Sequence, residues 1–325
     1  MKMNGYIIDE KTKEEGKMER TVFFSKVSLN SQEVFDLVEN YDTRFKITGD
    51  ILCMIKHDYT FVDEYAYIKE DGNEGEGKIT YVLSIKEKDD ASIHGVLDRK
   101  AVIFVKERDA ESGEMKSRPV ENTEDIEFYY DVLHEYVAFI SRRRFGKNMF
   151  NEAFGKLLNK CAKENELDYS FYVESYNAGM SIDEMKESVK ADKNIRELTI
   201  TYRPANPDQG IIDKVKEASD KERLKESNAT ERSIIYKAKG KVSINGGADI
   251  IQDDLAKLVE MNTDIPIEEL TQRGYIVVTS VNQNGDVKTT TDSKPFVKIA
   301  NNMIEFVDTA KKGISEILRK VTLFD

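Results

Sequence analysis

Between Ser141 and Lys163 the sequence holds seven cations, Arg142, Arg143, Arg144, Lys147, Lys156, Lys160 and Lys163, and one acid, Glu152. The chemistry this run suits is phosphate binding: a planar guanidinium grips two oxygens at once, and an ammonium adds a point charge. Phe150, Phe154, Leu157, Leu158 and Cys161 recur at spacings of three and four, so Lys147–Lys163 reads as a helix with one apolar face. At about 100° per residue, Lys156, Lys160 and Lys163 fall opposite Phe150, Phe154 and Cys161 and stay in water. Arg142–Arg144 end a strand, Phe145-Gly146 make the turn, and Asn148 with the N–H groups of the helix start adds donors. A second set, Lys237, Lys239 and Lys241, alternates along a strand and so lines one face, with Lys225 and Arg232 nearby in sequence. Its other reading is a lysine-bearing edge strand that resists aggregation.

The chain has 325 residues with 49 Lys+Arg against 61 Asp+Glu, a formal charge of −12. That balance excludes a protein coated in nucleic acid but leaves room for one local basic face. The acids elsewhere also offer each arginine a partner within the fold, so internal ion pairing and phosphate contact stand as equal readings. Tyr129, Tyr130, Tyr136 and Tyr169 lie in apolar runs and are expected in the core rather than as a base-stacking platform. The ligand expected is therefore duplex DNA, held by its phosphates with little sequence readout.

Other chemistries find less. His57, His94 and His134 show no His-x-x-x-His spacing, Cys53 and Cys161 no Cys-x-x-Cys, and structural or surface roles are expected for the histidines. The Gly72–Gly77 loop carries Asp71, Glu74 and Glu76 and would repel phosphate, so it reads as a hairpin tip. A nuclease needs metal-binding acids beside a lysine. Glu-x-Lys occurs at Glu114–Lys116 and Glu184–Lys186, in a polar loop and at a helix start. No catalytic residue, metal or cofactor is assigned.

The elements that must position the cations are those of an α+β protein with mixed sheets and flanking helices. Strands are expected at Thr21–Val27, Ile51–His57, Tyr59–Ile68, Lys78–Lys86, Ala101–Lys106, Glu135–Ser141, Tyr169–Glu174, Ile195–Arg203, Ile234–Ile244, Tyr275–Val281 and Val287–Thr291. Helices are expected from Ser31 through Val38, at Ile182–Lys190, Asp213–Lys225 and Asp249–Met261, and as a long amphipathic C-terminal helix at Phe296–Val321. Glu107–Asp125 reads as a polar loop, Ile126–Leu133 as either helix or strand, and 169–203 as a βαβ-like run. The organisation expected is a charged extension at 1–19, an α+β domain at 20–204, a smaller α+β domain at 212–295, and a helix at 296–325 that packs back or dimerises.

This order of elements resembles the Rex A-like family of lambda phage exclusion proteins and, more distantly, the second component of the Kiwa defence system. The likeness rests on the strand and polar cap at Thr21–Ser31 and on Val137–Ser141 running into Arg144-Phe145-Gly146 and a helix. The acidic helix between strands at 169–203 and the Asn284-Gly285-Asp286 hairpin before a terminal helix complete it. The resemblance implies a non-catalytic, dimeric, two-domain DNA-binding sensor in antiphage defence, acting with a membrane effector. No apolar run is long enough to span a bilayer, and Met1–Arg20 lacks a signal core, so a cytoplasmic protein is expected. Two other classes are left open: an acidic protein-interaction or inhibitor module and, behind it, a metal-dependent nuclease working through Glu114 or Glu184.

Overall fold

The computed structural model describes residues 19–30, 41–68, 74–108, 115–177, 179–203, 231–240, 242–260, 267–290 and 295–322. The helices expected at 31–38 and 213–225, together with Lys241, Glu114 and the linker 204–212, lie outside the described residues.

The first sheet has eight strands: β1 (Arg20–Asn30), β2 (Thr60–Ile68), β3 (Glu74–Lys88), β4 (Ser92–Arg108), β5 (Met115–Asp131), β6 (Tyr136–Ile140), β7 (Ser170–Ser175) and β12 (Val297–Ala300). Their order is β12-β1-β6-β5-β4-β3-β2, with β7 pairing the far end of β1. The second sheet runs β11 (Val287–Thr289), β10 (Ile276–Asn282), β8 (Ile195–Tyr202) and β9 (Arg232–Lys237). Every ladder among the described residues is antiparallel. The helices are α1 (Tyr41–Met54), α2 (Lys147–Glu164), α3 (Ile182–Ala191), α4 (Asp249–Glu260), α5 (Ile267–Gln272) and α6 (Phe306–Thr322). The α+β class is thus the one present.

Strand alternation divides the first sheet into two faces. On one, Leu83, Leu97, Ile126, Phe128, Val137 and Phe139 pack beneath α1 and α2, which contribute Ile47, Ile51, Phe150, Phe154 and Leu157. On the other, Val22, Phe24, Tyr136, Ala138 and Ile140 are covered by Phe306, Ala310, Ile314 and Ile317 of α6. Each such Phe or Ile, fully buried, contributes about 1.5–3 kcal/mol. Gly313 lets α6 approach closely, because a Cβ there would stand 2.2 Å from the ring of Phe24. The second sheet buries Leu198, Ile200, Ile276 and Val278 against Met185 and Val189 of α3 and Leu255 of α4.

Four expectations need correction. Ile51–His57 is no strand: Ile51, Leu52 and Met54 end helix α1, and Lys88 caps it by donating to the carbonyls of Leu52 and Ile55. The polar stretch 107–125 is no loop in its second half, because β5 starts at Met115 and runs beside β4 to Asp131. The run 169–203 is no βαβ unit, since β7 joins the first sheet and β8 the second. Residues of α3 and β8, which precede 204, pack in the second core. The C-terminal helix starts only at Phe306: Val297–Ala300 pairs with β1, and Asn302 Oδ1 accepts from Glu305 N at 2.9 Å just before the helix. From there α6 does pack back onto the first sheet.

Candidate nucleic-acid interface

Strand β6 ends at Ile140, and the turn beyond it is closed by Arg142 N donating to Phe145 O at 2.9 Å. Phe145 is the anchor. It is fully buried, with its ring centre 6.0 Å from that of Tyr81 and 6.2 Å from that of Phe150. With Phe145 pinned inward, Arg143 and Arg144 are left exposed on the outside of the turn. Gly146 is the N-cap of α2, it supplies no side-chain cap, and the first helical turn carries no acid. The helix start therefore keeps the positive end of its dipole beside Arg143, Arg144 and Lys147, an arrangement suited to anionic oxygens.

The remaining cations are distributed differently. Arg142 is an internal clamp: Nε donates to Asp125 O at 2.9 Å and Nη2 to Asp125 Oδ2 at 3.1 Å. Lys156 donates to Asp63 Oδ2 at 2.6 Å and Glu152 Oε1 at 2.7 Å. Burial would lower its pKa, but the two carboxylates outweigh burial and raise it. Lys160 stands 5.6 Å over the ring of Phe61, and Tyr59 donates to Glu164 at 2.8 Å. Positions 156, 160 and 164 thus meet 63, 61 and 59 in turn, so α2 runs antiparallel along β2. Lys163 is exposed near the far end of α2, about 24 Å from Lys147 at 1.5 Å per residue. The expected single patch is two: an arginine turn at the helix start and an exposed lysine near its end, separated by paired charges.

Lys239 is exposed beyond β9 in the second sheet, away from α2 in the topology, and Lys237 of that strand is held by Glu197 at 3.0 Å. The structure does bring in Arg99, which sequence reasoning misses. It is the cross-strand partner of both Tyr81 and Glu124, and Glu124 Oε2 accepts from Arg144 N at 3.0 Å. The register linking these residues is hidden in a stretch whose polar composition reads as a loop.

The histidines do local work. His57 Nδ1 accepts from Ile85 N at 3.0 Å, His94 pairs with Glu127 at 2.7 Å, and His134 with Asp131 at 2.9 Å. Cys53 is exposed and Cys161 buried, both as free thiols, and burial pushes the Cys161 thiol up to about 12. Glu184 closes a capping box with Ser181 at the start of α3. Among the described residues no group of three or more His, Cys, Asp or Glu is placed to hold a metal, and no helix is long and apolar enough to cross a membrane.

The chain belongs to the family described as a domain of unknown function, DUF4747, whose model matches residues 55–302. That span runs from the end of α1 into the segment before α6 and includes the arginine turn and both sheets. No curated protein matches the chain.

Proposed function

We propose that this protein is a non-catalytic nucleic-acid-binding protein that contacts duplex phosphates through Arg143, Arg144 and the start of α2. The observation that carries the reading is the turn itself: two exposed arginines set by a buried phenylalanine beside a helix whose N-cap is Gly146 and whose first turn carries no acid. Two arginines and a helix start supply charge and donors for phosphate oxygens, so the binding proposed is electrostatic and sequence-tolerant. The test is fluorescence anisotropy of a labelled duplex with wild type and an Arg143→Ala/Arg144→Ala variant. Binding that the variant loses supports the site, and equal binding by both refutes it.

The likeness to Rex A-like exclusion proteins supports a setting in antiphage defence, where DNA binding is passed to a membrane effector. The route proposed is a change in orientation between the two sheets. Small-angle scattering unaltered by saturating duplex would contradict that step.

A second reading has its own observation. Arg142 and Lys156 are committed to Asp125, Asp63 and Glu152, which reduces the positive field along α2 in a chain of net charge −12. This favours an acidic protein-interaction module, which would show no duplex affinity even at low salt and would co-purify with a basic partner.

A further inference from the structure

Helix α3 and the outer strands of the second sheet enclose a cavity of about 320 Å³, near the lower end of the range for small-molecule sites. One stripe of α3, Met185, Ser188, Val189 and Asp192, forms its wall, because residues three and four apart share a helix face. Val278 and Ser280 alternate along β10 beneath it, and register sets Lys288 of β11 level with Ser280. Met180, just before α3, adds a second thioether, a side chain that adapts to the shape of what it meets.

Asp192 gives this cavity its charge. Its side chain is 13% exposed, and it caps the C-terminal end of α3, where the helix dipole is also negative. An acid there is unfavourable for the helix, and departures from local preference of this kind concentrate at functional sites. Asp192 Oδ1 accepts from Asn194 N at 3.1 Å, and Oδ2 stands 3.3 Å from Lys288 Nζ. Lys190 and Lys193, close by in sequence, donate instead to Glu187 Oε1 at 3.4 Å and to Lys190 O at 2.9 Å. Lys288 is thus the one cation paired with Asp192 among the described residues, and it is loosely held. Its side chain is 71% exposed on a strand of three residues, and 3.3 Å exceeds the roughly 2.7–2.9 Å of a tight charge-assisted hydrogen bond.

We propose that this cavity binds a small primary amine carried on an apolar body, whose ammonium displaces that of Lys288 from Asp192. An ammonium has three donors. Asp192 accepts one, and the hydroxyls of Ser188 and Ser280, which have no hydrogen-bond partner among the described residues, are available for the others. Met180, Val189 and Val278 give the body an apolar surface. A ligand with a carboxylate in place of the amine would meet Asp192 and the negative end of α3, and is disfavoured. The cavity lies on the second sheet and the arginine turn on the first, so the two sites stand or fall separately.

The test is fluorescence anisotropy of tryptamine, an indole bearing a primary amine, as the full chain is titrated in. The chain contains no tryptophan, so indole emission comes from the probe alone. Wild type is expected to bind it. Lys288→Ala should tighten binding severalfold by removing the internal competitor, and Asp192→Asn should weaken it by at least about tenfold by removing the charged partner. Indole-3-acetate, the same ring with a carboxylate in place of the amine, should not bind. Arg143→Ala/Arg144→Ala should bind tryptamine like wild type, whatever it does to duplex binding. Absence of binding by both wild type and Lys288→Ala would overturn the proposal. So would indole-3-acetate binding as tightly as tryptamine, a folded Asp192→Asn variant with wild-type affinity, or a Lys288→Ala variant that binds more weakly than wild type.

Discussion

The guanidinium carbon of Arg203 lies 4.0 Å from the ring centre of Tyr172 and ties the two sheets together. Tyr172 belongs to β7 of the first sheet, and Arg203 follows β8 of the second. The same guanidinium donates to Gly274 O and Glu231 Oε2, each at 3.1 Å, and stands 3.6 Å from Glu174 Oε1. One largely buried charge therefore has two carboxylates, a carbonyl and a ring face, an arrangement that a planar fork satisfies and an ammonium does not.

Replacing Arg203 with alanine should destabilise the protein by about 2–4 kcal/mol, because Glu174 and Glu231 lose their shared partner at a half-buried junction. Arg203→Lys should recover less than half of this, since it loses the stacking and the second donor. Urea unfolding followed by circular dichroism checks both.

Gly313 should respond with a sign opposite to its helix propensity. In an isolated helix, Gly→Ala gains about 1 kcal/mol. Here the added methyl meets the Phe24 ring at 2.2 Å, and Phe24 is itself buried against Phe296 at 5.2 Å between centres. Gly313→Ala should therefore be destabilising by about 1–3 kcal/mol, as overpacking is. A raised melting temperature would contradict the close packing of α6 on β1.

Glu127 gives a pH dependence. Burial alone would raise its pKa, but hydrogen bonds from His94 and Lys86 outweigh burial and lower it. A carboxylate whose folded value is depressed adds stability above its unfolded value, near 4.5, and that stability is lost as pH falls through the lower folded value. Glu127→Gln should thus melt lower than wild type at pH 7, with the gap closing below about pH 4. A gap that stays constant with pH would mean that the ion pair contributes nothing.

Asp98 shows the reverse. Burial first, and Asp125 opposite it on β5 second, raise its pKa, so its charge opposes folding at neutral pH. The penalty is present once pH exceeds the folded value and absent at acid pH, where both states are protonated. Asp98→Asn should raise the melting temperature by a few degrees at pH 7 and leave it unaltered at acid pH.

What is legible in the sequence depends on whether local pattern and tertiary partner agree. Helix α2 is readable because Phe150, Phe154, Leu157 and Cys161 face one core at a 3.6-residue period, and the Asn282–Asp286 turn because it sets its own hairpin. Helix α1 is not. Its sequence contains Thr43, Thr48 and Gly49, poor helix formers, and it is held by burial of Ile47, Ile51 and Met54 and by Lys88 from another strand. Strand β5 escapes for a different reason: from Met115 to Glu121 its one strand neighbour among the described residues is β4, so no neighbouring ladder on its other side imposes apolar alternation. The cations of the candidate site are all visible as residue types. Their partners are not, because Asp63, Asp125 and Glu124 reach them only through strand register.

The most direct test of phosphate binding at the arginine turn is the salt dependence of duplex binding, measured by anisotropy for wild type, Arg143→Ala/Arg144→Ala and Arg142→Ala. Removing one phosphate-binding cation takes ~0.9 off the log–log slope, so the double variant should bind more weakly with a slope shallower by about 1.8. Arg142→Ala should lower the melting temperature, because it breaks the Asp125 clamp, and keep the wild-type slope at temperatures where it stays folded. No wild-type binding at ~50 mM salt, or a double variant with the wild-type slope, would contradict phosphate binding at this turn.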